Sequence, residues 1–387
     1  MKPKIFLLIA FFLFSCGASF GFQSVYRVHD GDYLDLFLEA SERREENFTV
    51  LADTCLNYLP IKAFLESFAC YAPYHYWHLD SFWAQTSTCN RIEVDASWLT
   101  TGEEEEELFE ELENLLSDIS ELPDYEKLKY VHDLMVANVS YNFWAEGSAY
   151  HLLFHREGIC TSYTLLTLRA LEFLGIEATA VDGYGNGALH LWNMVRLCCG
   201  DDCRWFHLDV TWDDPLPDEP GRVSYRYFLL SDEEIRRDHV VLNSCGKTAP
   251  ESFRDWRARC EARGKEIYSP GVFLRFAADL PGEGNSLRTG EPLRVELRLK
   301  LFELSAHLEE MVCYFEAHTP FGVFWYAGGR WHGSRQPFWE GFPRDLEEDF
   351  VFPTAGLPEG PYTLYFRVKA GERELAKKRL GIFLRND

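Results

Sequence analysis

Residues 158–175 read GICTSYTLLTLRALEFLG, and their pattern fixes where a helix begins and what stands at its first turn. Leu165, Leu168, Leu171 and Leu174 recur at helical spacing, Gly175 supplies a stop, and Gly158 with Thr161 and Ser162 suits an N-terminal turn. Cys160 therefore falls at the positive end of the helix dipole, where unpaired backbone N–H groups favour a thiolate over a thiol. Taken alone, a cysteine at such a place is as well explained as a small buried hydrophobe. What raises it above that reading lies downstream.

Two segments follow that alternate with period two. LHLWNMVRL puts His190, Trp192 and Met194 on one face, and RWFHLDVTW puts Trp205, His207, Asp209 and Thr211 on one face, with CCGDD as a turn between them. A two-residue loop at Cys199-Gly200 would set His190 directly opposite Asp209, with Cβ atoms about 4.5–5.5 Å apart. A thiolate needs a base to carry its proton, and the base needs an orienting carboxylate. Cys160, His190 and Asp209 supply those three roles in chain order.

The ordered blocks GIC-x-x-Y, H-x-W-N and WFHLDVTWDDP, with YVHDLMVANVSYN before them and YFLLSDEEIRRDH after, resemble the transglutaminase-like core of the papain-type cysteine enzymes over roughly residues 103 to 240. The resemblance implies a catalytic triad of Cys160, His190 and Asp209. It also implies an oxyanion site made by the Cys160 backbone N–H and a second donor, for which Tyr150 in SAYHLL matches the aromatic that the family often shows. Tyr163 and Trp192 read as packing and groove-wall residues, and Asn193 as a backbone-bonding support. The chain departs from the family at Ser162, where glycine is common, and at Leu191, where a smaller residue is usual. His132, His151, His155 and His207 read as satisfied structural histidines, and Asp213 and Asp214 as turn formers.

The 387 residues, 47% of them hydrophobic, can build two or three cores. The reading is an α+β protein: a signal segment at 1–22, an N-terminal α+β extension at 23–102, the transglutaminase-like core at 103–245, a helical connector at 246–267, and an immunoglobulin-like β-sandwich at 268–387. The sandwich is inferred from short alternating runs such as LRVELRLKLF and YTLYFRV between Gly, Pro and Asn turns. It is expected to be dispensable for chemistry. DGYGNG, residues 182–187, reads as a Gly-rich loop.

With 38 basic against 62 acidic residues, the formal charge is −24, which makes nucleic acid and anionic lipid surfaces poor partners. MKPKIFLLIAFFLFSCGAS opens with lysines, an apolar run too short to span a bilayer, and then small residues. The chain is expected to be exported, either as a periplasmic or cell-surface lipoprotein lipidated at Cys16 or as a secreted protein; the membrane enters only through that anchor. Eleven cysteines suit an oxidising compartment. Cys198, Cys199 and Cys203 lack a second pair at metal-ligand spacing, so a hairpin disulfide or plain thiols are expected and neither metal nor cofactor is invoked. The functional expectation is cysteine-dependent acyl transfer at an amide of a protein or peptide-like envelope substrate, with hydrolysis preferred. A crosslinking transamidase and a non-catalytic scaffolding lipoprotein are the alternatives.

Overall fold

The computed structural model describes residues 24–386 apart from 29–31, 53–60, 89, 215, 218–221 and 281–283. Cys16, Cys55 and Cys89 lie outside the described residues. The N-terminal body comprises β1 (Ser24–Val28), α1 (Tyr33–Glu42), β2 (Asn47–Ala52), α2 (Ile61–Tyr71), α3 (Pro73–His78), β3 (Leu79–Thr88) and β4 (Arg91–Trp98). Its four strands form one sheet in the order β1-β2-β4-β3. Phe37, Phe48 and Phe68 centre its apolar core.

The central body begins with α4 (Gly102–Leu116), whose Glu-rich start is a capping box: Thr101 accepts from the Glu104 N–H, and the Glu104 carboxylate accepts from the Thr101 N–H. Then come α5 (Asp124–Asn138), β5 (Ser140–Tyr141), α6 (Ala149–His155), β6 (Glu157–Gly158) and α7 (Cys160–Phe173). Next are β7 (Ala178–Gly185), β8 (Ala188–Cys199), β9 (Asp202–Leu208), α8 (Val210–Asp213), β10 (Phe228–Leu230), α9 (Asp232–Ile235), β11 (His239–Asn243) and α10 (Phe253–Ala262). The sheet order is β10-β9-β8-β7-β11. Helix α7 lies against it, with Leu165, Leu168 and Leu171 in a core shared with Val195, Leu197 and Phe206. Stretch 246–267, expected as a connector, is tied into this core: Trp256 is fully buried and Cys260 is joined to Cys199.

The DGYGNG segment is not a loop. It ends strand β7 and turns at Asn186-Gly187, both at positive φ (46° and 83°), the two-residue geometry that matches strand twist. Gly183 and Gly185 sit within the strand because large rings lie against them. A Cβ on Gly183 would come 2.2 Å from the Val240 carbonyl oxygen of β11 as well as 2.7 Å from Trp192, and one on Gly185 within 2.6 Å of Trp212 and 3.3 Å of His190.

The C-terminal body is a two-sheet β-sandwich. It contains β12 (Phe273–Asp279), β13 (Ser286–Arg288), β14 (Leu293–Lys300), β15 (Met311–Thr319), β16 (Gly322–Ala327), β17 (Arg330–His332), β18 (Trp339–Gly341), β19 (Leu346–Phe352), β20 (Gly360–Ala370) and β21 (Arg373–Arg385). A three-stranded sheet, β12-β14-β19, faces the sheet β13-β21-β20-β15-β16-β17, with β18 added to β15. Leu297, Phe315, Phe350 and Phe366 fill the space between them. Both other bodies are fastened to the sandwich. Glu39 of α1 is buried, accepts from the Gly381 N–H at 2.5 Å and pairs with Arg379, and Asn285 bonds both the N–H and the carbonyl of Val25.

Among the described residues three disulfides join Cys70 to Cys245, Cys198 to Cys203 and Cys199 to Cys260. The first staples the N-terminal extension to the central body, and the second crosses the β8–β9 hairpin. Among the described residues the free cysteines are Cys160 and Cys313. No described helix is long and apolar enough to cross a membrane.

Candidate active site

Helix α7 starts at Cys160 because the residue before it, Ile159, is extended (φ −112°, ψ 174°), and the turn is closed by Ser162, whose hydroxyl accepts from the Ile159 N–H at 2.8 Å. A Cβ on Gly158 would lie 2.4 Å from that hydroxyl. Gly158 and Ser162 therefore fit as a pair, which gives the departure at position 162 a local function: its oxygen ties the turn together, including a bond to the Glu146 carbonyl. Cys160 is thereby presented half-buried at the start of a 14-residue helix.

The β8–β9 hairpin turns at Gly200-Asp201, with Cys199 opposite Asp202, so the register is two residues away from the one expected. A shift of two preserves which face each side chain occupies. His190 and Asp209 still meet, but not as a cross-strand pair: β9 ends at Leu208, and Asp209 caps α8. One carboxylate oxygen, Oδ1, accepts from the Trp212 N–H at 3.2 Å; the other, Oδ2, accepts from His190 Nε2 at 2.8 Å. The second ring nitrogen of His190 is left for Cys160, to which the histidine is hydrogen-bonded.

The charges follow from that line of contacts. Burial pushes the Cys160 thiol up, yet the His190 hydrogen bond, its positive charge and the Leu191 N–H outweigh burial and hold it below the usual thiol range. Burial opposes charge on His190 as well, but the Asp209 carboxylate wins and raises it to about 10. Asp209, fully enclosed, would be raised by burial and is instead lowered to about 2 by His190 and His239. Lowered thiol, raised imidazole and lowered carboxylate describe one thiolate–imidazolium–carboxylate line. The histidine's share of stability is complete below its ordinary range and is lost as pH rises through about 10; the carboxylate's share is lost only as pH falls through about 2.

The other residues singled out in the sequence have definite places. Trp192 is 1% exposed and stacks on the His190 ring at 5.6 Å; its indole donates to His207 Nδ1 at 3.0 Å, which leaves His207 Nε2 to donate to Asp232 at 3.0 Å. Asn193 donates to the Thr164 carbonyl at 3.2 Å and pins β8 to α7. Tyr163, also enclosed, bonds Asp214. Tyr163 and Trp192 are thus supports beneath the site, not walls of a groove. His132 bridges Asp133 and Asp213, whose Oδ1 in turn accepts from the Tyr227 N–H, and His151 stacks on His155.

Tyr150 does not reach the site. Its hydroxyl donates to Glu107 at 2.7 Å and its ring packs on Phe154. Tyr141 is better placed: β5 pairs with β6 so that Tyr141 lies opposite Gly158, and its phenol is raised by burial and then by the charge of Cys160.

Two neighbours escaped the sequence reading. Trp212 packs on His190 at 5.5 Å and on His239 at 4.3 Å, and His239 bonds Asp209. The only signal for His239 was its position at the end of YFLLSDEEIRRDH. His190, Asp209 and His239 offer donor atoms within 4.8 Å of one another, the only such metal-spaced group among the described residues. Their hydrogen bonds account for that spacing without an ion.

The glycine that admits these rings gives a direct test. Gly185→Ala is expected to leave the far-UV circular dichroism unchanged while slowing Cys160 chemistry by up to about 10²-fold, because a methyl there displaces Trp212 and His190. An unaltered rate would mean that the rings yield without moving the histidine.

Residues 113–210 match the family model of the transglutaminase-like superfamily. Among solved structures the chain is similar to a transglutaminase at 12% identity, over 56% of this chain and 64% of the other, with a TM-score of 0.20. It is also similar to a provisionally assigned cysteine protease from Cytophaga hutchinsonii (13%, 48% and 81%, TM-score 0.22) and to red sea bream transglutaminase (10%, 67% and 54%, TM-score 0.20). The chain thus spans less than two thirds of the first of these. No curated protein matches it.

Proposed function

We propose that the protein is a cysteine-dependent acyl-transfer enzyme that hydrolyses amide bonds in a protein or cell-envelope peptide. The observation that carries this reading is the hydrogen-bonded line from Cys160 at a helix start through His190 to a buried, ionised Asp209. The Cys160 thiolate attacks the carbonyl carbon. The oxyanion is held by the Cys160 backbone N–H, one of the donors a helix start leaves unpaired, and by the Tyr141 hydroxyl, which replaces Tyr150 in this role. His190 gives its proton to the leaving amine, a thioester remains on Cys160, and water activated by the neutral imidazole releases the acid. Asp209 keeps the imidazole in the tautomer that can accept from sulfur.

The signal-like N-terminus supports an exported protein, anchored through Cys16 or secreted, and the acidic charge supports a partner other than nucleic acid. The two facing sheets of the C-terminal body support an immunoglobulin-like module.

The test uses iodoacetamide on the native protein. Cys160 is expected to be alkylated well below the pH at which ordinary thiols react, with the imidazolium partner lost only near pH 10. Cys313, buried and pushed up to about 12, serves as the internal reference and is expected to remain unlabelled. Labelling of Cys160 only at the pH of a free thiol would overturn the reading.

A further inference from the structure

Asp209 has no exposed surface, and its two oxygens have unequal duties. Oδ1 is held by the helix-capping Trp212 N–H, while Oδ2 accepts from two histidines, His190 at 2.8 Å and His239 Nε2 at 3.0 Å. His239 opens β11, opposite Gly185 of β7, the same glycine whose missing Cβ leaves room for Trp212 and His190. Its ring is fixed from every side: Trp212 lies at 4.3 Å, Trp192 at 5.0 Å and Tyr227 at 5.5 Å. Its other nitrogen, Nδ1, meets Asp238 Oδ1 at 2.7 Å. Asp238 is anchored in turn by the Tyr227 hydroxyl at 2.6 Å and lies 3.8 Å from Arg226.

We infer that His239 is a positioning residue for the Cys160 site: clamped between Asp238 and Asp209, it fixes the plane of the Asp209 carboxylate so that Oδ2 faces His190. The inference rests on the proposed nucleophilic role of Cys160. Without His239, Oδ2 would hold only the His190 contact, and the carboxylate could rotate about its Cβ–Cγ bond toward the capping N–H. The imidazole would then lose the acceptor that fixes its tautomer. His239 bonds Asp209, and its ring also lies 5.3 Å from the His190 ring, so a variant that restores the donor without the ring separates the hydrogen-bonded route from packing.

The test compares wild type, His239→Leu, which keeps bulk without a donor, and His239→Gln, whose amide N–H can reach Asp209. The probe is iodoacetamide at about pH 6, where only an activated thiol reacts. His239→Leu is expected to slow Cys160 alkylation by about 10- to 100-fold, the scale on which an outer hydrogen-bond partner tunes a functional histidine. His239→Gln should restore most of the rate. The downfield proton resonance of the His190–Asp209 hydrogen bond should shift or vanish in the leucine variant and return with glutamine, a signature that simple packing would not move. Should His239→Leu fail to fold, Asp238→Asn, which loosens the clamp from its outer end, is expected to slow alkylation in the same direction. A folded variant with the wild-type rate and resonance overturns the inference. Slow alkylation of wild type itself would instead overturn the role of Cys160.

Discussion

Replacing Asp209 by asparagine is expected to leave a folded protein whose amide turnover is lower by about 10⁴, the loss known for a triad aspartate in an unrelated protease. That factor corresponds to about 5.5 kcal/mol of lost transition-state stabilisation. The reason is the division of labour between the two oxygens. Oδ1 must go on accepting from the Trp212 N–H, because a donor there would face the start of α8. The asparagine amide would therefore point its NH₂ at His190 and His239. His190 Nε2 would have to become an acceptor, moving the ring proton to the nitrogen that faces Cys160, and an imidazole so protonated cannot take the thiol's proton. Burial and shape are otherwise conserved, so the melting temperature should change much less than the rate. Near-full turnover by folded Asp209→Asn, measured on a glutamine-containing peptide, would remove the carboxylate from the mechanism.

How legible this site was depends on the range over which each contact acts. Cys160 at a helix start and the shared face of His190 and Asp209 are local facts, written in leucine spacing and in period-two alternation. The first is found at the start of α7, whereas His190 and Asp209 meet through the cap of α8 just past the end of β9, so the two-residue difference in register does not part them. The strand glycines are hidden for the same local reason: DGYGNG has turn composition, and nothing within it reveals that Trp192 and Trp212 will lie on Gly183 and Gly185. Tyr150 matches the expected oxyanion donor only by its place in the chain. Its real partner, Glu107, comes from another helix, whereas Tyr141 gains its position from β5 pairing with β6. His239 depends on β11 returning to β7, a contact with no periodic trace at all. Local pattern thus carries Cys160 and His190, and long-range pairing carries the residues that surround them.

The same distinction governs the second large effect. Cutting the chain after residue 267 is expected to destabilise what remains, contrary to the expectation that the sandwich is dispensable for chemistry. Asp124 and Lys127 form a buried ion pair of α5 at 2.8 Å, and the sandwich side completes it: the Ser269 N–H donates to Asp124, Glu303 accepts from the Asp124 N–H, and the Lys127 ammonium lies 4.4 Å from the Phe302 ring. Phe273 belongs to the core around α7, and Phe302 packs against that core and closely approaches Gly175, the glycine just past the end of α7. Two aromatic side chains at about 1.5–3 kcal/mol each amount to about 3–6 kcal/mol, before the loss of the buried pair between Glu39 of the N-terminal body and Arg379 of the sandwich is counted. For a body of this size each kcal/mol lowers the melting temperature by about 2–4 °C, so a fall on the order of 10 °C or more is expected in calorimetry. Cys160 alkylation at about pH 6 should fall with it, because the far end of α7 is no longer held against Phe302. A truncated chain that melts with the full-length protein and keeps its Cys160 reactivity would show that the sandwich is a separable module, and that these contacts join the bodies without supporting the site.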